Sequence, residues 1–331
     1  MPRIQRIALF PVLLLTLFLC ACQQNVAGYA YIQHRDGSAW RADASRRYAQ
    51  NPVPRDARQL TRAGVAATAA QYRAGQVQAP RTQLKPTTPP PAPSCGAVCV
   101  IDPKTGTILY EYNARQRRQV ASTQKLVTAL CVCDAGHLNK RVTISKEDCK
   151  APPIKLGLQP GTSYRRGDLL QVMLTGSFND VAVTLARDTA GSVPRFIDMM
   201  NARARRMRMY DTHFANPNGL PANQYSTAHD MALAACHAYY NPTIRRMVSI
   251  PELDFTLANG SKRHVRSTNK LLKSYPWVRG MKTGYTNKAG KCLISCGTYE
   301  GKSVIVVILG STNQKVWNES LRYLRWALGI S

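Results

Sequence analysis

Residues 280–286 read Gly-Met-Lys-Thr-Gly-Tyr-Thr, and this stretch decides the fold. Its centre, Lys282-Thr283-Gly284, is a string expected well under once by chance at ordinary residue frequencies. On an edge strand, the glycine permits the close approach of a ligand backbone, the threonine hydroxyl can hold a carboxylate, and the lysine adds positive potential. The string therefore predicts an edge strand of a sheet that binds an anionic ligand.

A second motif, Ser122-Thr123-Gln124-Lys125, lies upstream. A hydroxyl and an amine three residues apart project from one face of a helix and can come within hydrogen-bond reach. Alone, the spacing is also compatible with a solvated helix that Ser122 caps. Lys125, however, lies in an almost wholly apolar helix, where a buried ammonium is costly. The pattern therefore favours a Ser/Lys nucleophile.

Ser177-Phe178-Asn179 is a third, individually weak element. Its hydroxyl can relay a proton, and its amide can orient a substrate or a lysine.

The periodicity around these motifs predicts strands at both ends of a domain and helices between them. Such an arrangement implies an α/β (α+β) domain whose antiparallel sheet is assembled from distant segments. The predicted strands are Ala97 to Asp102, Ile108 to Tyr112, Arg279 to Thr283, Lys291 to Tyr299 and Ser303 to Leu309. The first predicted helix begins near Ser122. The others cover Asp168 to Thr175, Val181 to Thr189, Pro194 to Met207, Thr227 to Tyr239 and Val316 to Leu328.

The N-terminus has the pattern of an export signal over residues 1–21. Arg3 and Arg6 precede an apolar run too short to span a bilayer, and small residues then precede Cys22. The arrangement resembles a lipoprotein signal, in which Cys22 is lipidated and anchors the protein to a membrane. Plain cleavage near Ala21 is the alternative. Either way, we expect an exported protein of the periplasm or cell envelope.

Residues 22–94 are rich in Ala, Arg and Gln and end in a proline-rich run at residues 85–93. This composition predicts a disordered, basic and extended linker, with the folded domain at residues 95–331. The chain of 331 residues carries a formal net charge of +27, which attracts polyanions. Because no zinc-finger spacing or RNA-binding signature is present, anionic wall polymers or lipid headgroups fit this charge at least as well as nucleic acid. We predict no nucleic-acid partner.

The chain has 10 cysteines, of which Cys20 is predicted to leave with the signal and Cys22 to carry lipid. An exported protein permits disulfides among the others, and the sequence does not choose a pairing. If Cys292 and Cys296 share a strand, they lie about 13 Å apart, too far to bridge. Burial as small hydrophobic residues is the alternative. Since no CxxC spacing typical of a zinc ribbon occurs, we predict no metal site and no cofactor.

The three motifs, in this order, resemble those of penicillin-binding proteins and serine β-lactamases. Surrounding blocks narrow the resemblance to the D-alanyl-D-alanine carboxypeptidase family, the low-molecular-weight penicillin-binding proteins, from about Cys95 to Ile330. The resemblance implies a β-lactamase/transpeptidase-like fold with a helical subdomain. The blocks, as they stand in this sequence, are residues 121–125, 128–130, 156–161, 214–220, 267–272 and 280–286.

The resemblance also implies roles for individual residues. Ser122 is the expected nucleophile and Lys125 its base, which must be neutral; burial and the charge of Lys282 both lower its pKa. Ser177 is expected to pass a proton to the leaving D-alanine, while Asn179 holds the substrate amide. At the strand, Lys282, Thr283 and Gly284 are expected to bind the terminal carboxylate, and the backbone N–H groups of Ser122 and Tyr285 to form an oxyanion hole.

The implied activity is serine-type D-Ala-D-Ala carboxypeptidase action on peptidoglycan stem peptides, with β-lactam antibiotics as covalent inhibitors. Three departures from the family pattern bear on this. Phe178 occupies a position where a small residue is commoner, so the cleft near Asn179 can be narrower. The chain ends soon after its last helix, so we expect the N-terminal lipid to replace a C-terminal anchor. A Glu-containing deacylation motif of class A β-lactamases is not evident, which disfavours that activity.

The motifs leave three alternatives open. They are a peptidoglycan DD-endopeptidase, a β-lactamase and a non-catalytic cell-wall-binding lipoprotein.

Overall fold

The computed structural model describes residues 84–331. The predicted signal peptide, Cys22 and most of the predicted linker lie outside these residues. The strands are β1 (Ala97–Ile101), β2 (Ile108–Tyr112), β3 (Arg141–Thr143), β4 (Ser163–Arg165), β5 (Glu252–Thr256), β6 (Lys262–Arg266), β7 (Val278–Thr286), β8 (Gly290–Tyr299) and β9 (Lys302–Ser311). The α-helices are α1 (Lys125–Ala135), α2 (Arg166–Gly176), α3 (Asn179–Ala190), α4 (Val193–Arg206), α5 (Ala228–Tyr240), α6 (Pro242–Val248), α7 (Leu271–Ser274) and α8 (Lys315–Leu328).

The main sheet has five strands in the order β2-β1-β9-β8-β7. Every neighbouring pair in it is antiparallel. β1 from the start of the domain lies between β2 and the late strand β9, with Ala97 opposite Leu309. The sheet is therefore assembled from distant segments, as the sequence predicted, and β7 forms its edge.

Both faces of the sheet are buried, because a separate hydrophobic core packs against each face and alternate residues of a strand point into one core or the other. On β1, Cys99 packs into the core that contains α1 and α5. Val98 and Val100 pack instead into the core that contains Tyr323 and Leu324 of α8. One face thus carries the helical subdomain, made of α1 to α6 with the small two-stranded β3–β4 sheet and the β5–β6 hairpin, and the other face carries α8.

The predicted helix that starts near Ser122 begins differently from the prediction. A 3-10 turn covers Ala121–Gln124, and the α-helix starts at Lys125. The sequence analysis missed α6 and the β5–β6 hairpin. Only Phe255 in β5 and Val265 in β6 are buried, so neither strand shows an alternating apolar pattern.

The end of the predicted linker differs from the prediction, because it is packed against the domain. Residues 84–94, which we call the proline strap, pack against α8 and do not form a free spacer. Trp326 Nε1 donates to the Thr88 carbonyl at 2.8 Å, and Tyr323 Oη donates to the Pro91 carbonyl at 2.9 Å. Leu84 is buried in the core beneath α8. The aromatic side chains of α8 offer a surface on which an extended proline-rich chain can pack.

The cysteines of residues 84–331 are free thiols, and five of them are buried: Cys99, Cys131, Cys236, Cys292 and Cys296. Burial raises the pKa of Cys131 and Cys296 to about 12. The sequence left open whether the cysteines form disulfides or are buried as small hydrophobic residues, and these five positions have the second character.

Candidate active site

Ser122 and Lys125 lie together at the start of α1, facing the edge strand β7. The 3-10 turn carries Ser122, and Lys125 is the first residue of the α-helix. Lys125 Nζ lies 2.8 Å from Ser122 Oγ. The Lys125 side chain is fully buried. The structure therefore brings the partly exposed Ser122 hydroxyl and the buried Lys125 amine into direct contact.

Two further oxygens surround the Lys125 amine. Its Nζ donates to the Asn218 carbonyl at 2.6 Å and to Asn179 Oδ1 at 2.8 Å. The pKa of Lys125 is lowered well below its usual value, first by burial and then by the positive charge of Lys282, while Asp180 opposes the shift. The direction and both causes are the ones expected from the sequence, and the role of Lys125 as a base stays a prediction.

Ser177 and Lys282 form a second hydroxyl–amine pair in the same site. Lys282 Nζ lies 2.8 Å from Ser177 Oγ. Ser177 adopts the left-handed conformation at φ 63°, which a residue other than glycine seldom occupies and which turns the chain from α2 into α3. Burial lowers the pKa of Lys282 to about 7.

β7 brings three more predicted residues to the cleft. Thr283 Oγ1 donates to Thr268 Oγ1 at 2.6 Å. A Cβ at Gly284 would lie 2.9 Å from the Ser122 nitrogen, so only glycine lets β7 approach the nucleophile turn this closely. Tyr285 is 54% exposed at the mouth of the cleft, and the Lys291 ammonium stacks 4.1 Å from its ring centre.

A loop over residues 152–157, which we call the cleft loop, is tied to the start of α3. Asn179 Nδ2 donates to the Pro152 carbonyl at 3.1 Å, so both ends of this amide have partners. The Asp180 carboxylate accepts from the backbone nitrogens of Leu156 at 3.0 Å and Gly157 at 3.1 Å. These contacts fix Asn179 against Lys125.

Phe178, the departure from the family pattern, points into packed structure. Its ring lies so close to Gly176 that a Cβ there would come within 2.2 Å of it. On the other side, the Arg263 guanidinium lies 5.1 Å from the ring centre and also hydrogen-bonds to the Leu156 carbonyl. Phe178 therefore joins the second motif to the β5–β6 hairpin and the cleft loop.

The structure brings every residue predicted for the catalytic and carboxylate-binding site into one cleft. Sequence analysis missed Asp180, the Asn218 carbonyl and Thr268. The blocks at residues 214–220 and 267–272 contained two of these without indicating a role. Within residues 84–331 there is no cluster of side chains that could hold a metal ion.

The model of one protein family, described as D-alanyl-D-alanine carboxypeptidase, matches residues 84–313. The chain belongs to the D-alanyl-D-alanine carboxypeptidase family. This membership confirms the family predicted from the motifs and, at the level of the family, a serine-type peptidase hydrolase.

The relatives of this carboxypeptidase-family chain include enzymes with related but different names. The D-alanyl-D-alanine carboxypeptidase DacF of Bacillus subtilis is 31% identical over 226 residues, which is 66% of this chain and 58% of that protein. The D-alanyl-D-alanine endopeptidase of Pseudomonas aeruginosa is 30% identical over 70% of this chain and 76% of its own length. The chain thus spans less than two thirds of the Bacillus relative.

The solved structure of a variant Streptomyces DD-transpeptidase shares the fold. It superposes with a TM-score of 0.68 and 28% identity, over 72% of this chain and 99% of the transpeptidase. The predicted transpeptidase-like α+β fold, an antiparallel sheet with flanking helices, is confirmed.

Proposed function

We propose that the chain is a serine-type carboxypeptidase that removes the terminal D-alanine from peptidoglycan stem peptides ending in D-Ala-D-Ala. The contact between Lys125 Nζ and Ser122 Oγ at 2.8 Å carries this proposal. A neutral amine next to a serine hydroxyl is the minimum needed to generate an alkoxide nucleophile. The lowered pKa of Lys125 favours that neutral form.

Lys125 acts as the general base. A neutral amine has two N–H donors and one lone pair. The Asn218 carbonyl and Asn179 Oδ1 accept the two donors at 2.6 and 2.8 Å, which leaves the lone pair facing the Ser122 hydroxyl. Asn179 thus orients the lysine, one of the two roles considered for this amide from the sequence.

Acylation and deacylation follow from this arrangement. Ser122 Oγ attacks the carbonyl carbon of the penultimate D-alanine while its proton moves to Lys125. The C–N bond then breaks, and the leaving amine receives a proton through Ser177, which Lys282 Nζ contacts at 2.8 Å. Water hydrolyses the ester, returning the hydroxyl to Ser122 and releasing the shortened stem.

The edge strand binds and polarises the substrate. Thr283 and Lys282 hold the terminal carboxylate, and Gly284 lets the substrate backbone lie along β7. The backbone N–H groups of Ser122 and Tyr285 receive the developing oxyanion, and such a donor contributes about 3 kcal/mol in other hydrolases.

The test is release of D-alanine from a peptide ending in D-Ala-D-Ala, with Ser122→Ala as the inactive control. A labelled penicillin should form one covalent adduct on Ser122, and mass spectrometry locates it. Equal D-alanine release by the two proteins excludes this mechanism. Rapid turnover of penicillin without a lasting adduct identifies a β-lactamase instead. If wall binding persists while neither substrate reacts, the non-catalytic lipoprotein remains.

Endopeptidase action on peptide cross-links is the second candidate. The Pseudomonas relative named as an endopeptidase favours it, because this chain spans 76% of that protein. A purified cross-linked muropeptide dimer separates the two activities, since only an endopeptidase converts it to monomers.

We further propose that residues 1–21 direct export and that Cys22 carries a lipid that anchors the enzyme in the cell envelope. The sequence pattern before Cys22 supports this proposal. No helix within residues 84–331 is long and apolar enough to cross a membrane. Metabolic labelling with palmitate should mark the full chain, and Cys22→Ala should abolish the label.

A further inference from the structure

Three arginines line a cavity of about 400 Å³ at the N-terminal end of β7, where α6 packs on the sheet. Arg245 and Arg246 come from α6 and Arg279 from β7. The Met281 and Cys296 side chains also line the cavity, together with the Ser249 and Thr298 hydroxyls. None of these residues belongs to the catalytic set around Ser122. We call this cavity the arginine pocket.

The charge of the arginine pocket is uncompensated. None of the three guanidiniums forms an ion pair with a carboxylate in the part of the chain from residue 84 onward. α6, β7 and β8, which line the pocket, contain no Asp or Glu at all. On α5, the only acidic residue is Asp230 in the first turn, about 13 Å along the helix from Tyr239. Like charges gathered without a counterion repel one another, and a bound anion relieves that repulsion.

The packing holds part of this cluster in place. The Arg245 guanidinium lies 5.7 Å from the centre of the Tyr239 ring, and Tyr239 Oη hydrogen-bonds to Ser303 at 3.1 Å. The positive charges of Arg245 and Arg279 reach Cys296 in the wall of the cavity, where they lower its pKa against the larger effect of burial. Arg245 and Arg279 therefore both act on the wall of this cavity, although all three arginines are exposed to solvent.

We propose that the arginine pocket binds a phosphate or pyrophosphate group. Guanidinium forks donate paired hydrogen bonds to phosphate oxygens, and a tetrahedral oxyanion can accept them from several directions, whereas a carboxylate accepts in one plane. The three arginines supply the donors, because the Ser249 hydroxyl already donates to the Arg246 carbonyl at 2.9 Å and the Thr298 hydroxyl pairs with Ser303 Oγ at 3.1 Å. The group can belong to a soluble phosphate compound or to a phospholipid headgroup. This site is independent of the proposed peptidase activity.

Inorganic pyrophosphate titrated into the full chain by calorimetry at physiological salt tests the pocket. We expect one saturable site. Arg245→Ala/Arg246→Ala/Arg279→Ala should weaken binding by more than about tenfold, because several charge-assisted hydrogen bonds are lost. The matched control Arg195→Ala/Arg205→Ala/Arg322→Ala removes the same charge from exposed positions elsewhere and should bind within about twofold of the original protein, as expected for surface changes. Penicillin labelling of Ser122 shows that each variant is folded.

A second variant separates a built site from general attraction to a basic protein. Arg245→Lys/Arg246→Lys/Arg279→Lys keeps the charge but loses the forks, so its affinity should fall by several-fold. Binding of the lysine variant equal to that of the original protein overturns the proposal. Equal weakening in the pocket variant and the control variant, or the absence of a saturable site, also overturns it.

Vesicles then identify the source of the phosphate. They are prepared from phosphatidylglycerol in phosphatidylcholine, and the full chain carries Cys22→Ala so that no lipid anchor contributes. Sedimentation that depends on the three arginines and is displaced by pyrophosphate assigns the site to a phospholipid headgroup. Pyrophosphate binding with no arginine-dependent sedimentation assigns it to a soluble phosphate compound.

Discussion

Lys282 Nζ contacts Ser177 Oγ at 2.8 Å, and its pKa is lowered to about 7. The same ammonium helps to lower the pKa of Lys125. The proposed mechanism therefore requires that Lys282 is protonated while Lys125 is neutral. In the proposed mechanism, the charge on Lys282 both attracts the substrate carboxylate and disfavours protonation of Lys125.

This pair predicts a bell-shaped pH profile for kcat/KM. As the pH rises through about 7, the free enzyme loses the Lys282 charge and with it carboxylate affinity. The acid limb reports protonation of Lys125. Lys282→Arg, whose side chain stays charged, should move the alkaline limb beyond the assay range. If the alkaline limb of the Lys282→Arg profile stays near pH 7, the limb reports the titration of another group.

Lys125→Ala should slow acylation of Ser122 by about 10²- to 10⁴-fold, the usual contribution of a general base. Labelled penicillin under pseudo-first-order conditions measures the rate. Lys262→Ala removes an exposed lysine from β6 and should leave the rate unchanged. A Lys125 variant that acylates at the original rate refutes the assignment of the base.

Gly284→Ala should reduce acylation sharply while the protein stays folded. The added Cβ would meet the Ser122 nitrogen at 2.9 Å and separate β7 from the nucleophile turn. Circular dichroism checks the fold, and penicillin labelling measures the site. Gly260→Ala introduces a methyl group with no atom within 4 Å of it, at a positive φ that Gly284 does not have, and should keep full acylation. Equal effects at the two glycines contradict the close approach.

Arg263→Ala should loosen the cleft loop. It removes the guanidinium from Phe178 and from the Leu156 carbonyl, which lowers the free energy of unfolding by about 1 kcal/mol. We expect faster amide exchange in residues 152–157 and a raised KM. Lys262→Ala, on the same hairpin strand, serves as the control. Unchanged exchange in the loop would show that Arg263 does not hold it.

Tyr323→Phe/Trp326→Phe should release the proline strap without altering catalysis. The variant keeps the aromatic rings but removes the hydrogen bonds to Pro91 and Thr88, which together contribute about 2 kcal/mol. Limited proteolysis within residues 84–94 measures the release. Trp317→Phe on the same helix is a matched control, because its indole nitrogen has no partner among residues 84–331. Equal cleavage of all these proteins contradicts the anchoring role.

The proximity of the proposed catalytic residues could be predicted because their chemistry is carried by side chains at fixed spacing. Ser122 and Lys125 lie one helical turn apart, and the apolar neighbours of Lys125 indicated its burial. The chemistry of Lys282, Thr283 and Gly284 likewise requires an edge strand, so their position in the sheet could be predicted. The Asn218 carbonyl could not be predicted in this way, because any residue supplies a backbone oxygen and only the folded chain directs it at Lys125.

The strap and the β5–β6 hairpin were missed for a different physical reason. Proline-rich composition predicts an extended chain but not the surface that the chain meets, and here that surface is α8. In the hairpin, Phe255 and Val265 are the buried residues of otherwise polar strands. The hairpin packs on the domain through tertiary contacts such as that of the Phe255 ring with the Tyr164 ring, and a local sequence pattern does not reveal such contacts.

Leu84 is buried under α8, on the side of the sheet that faces away from Ser122. The described chain therefore enters the domain on the sheet face opposite the Ser122 site. Under the proposed attachment through Cys22, we expect the Ser122 site to face away from the membrane and toward the proposed peptidoglycan substrate. On that proposal, the face at which the chain enters the domain, and not only the number of residues before it, limits which glycan strands the site can reach.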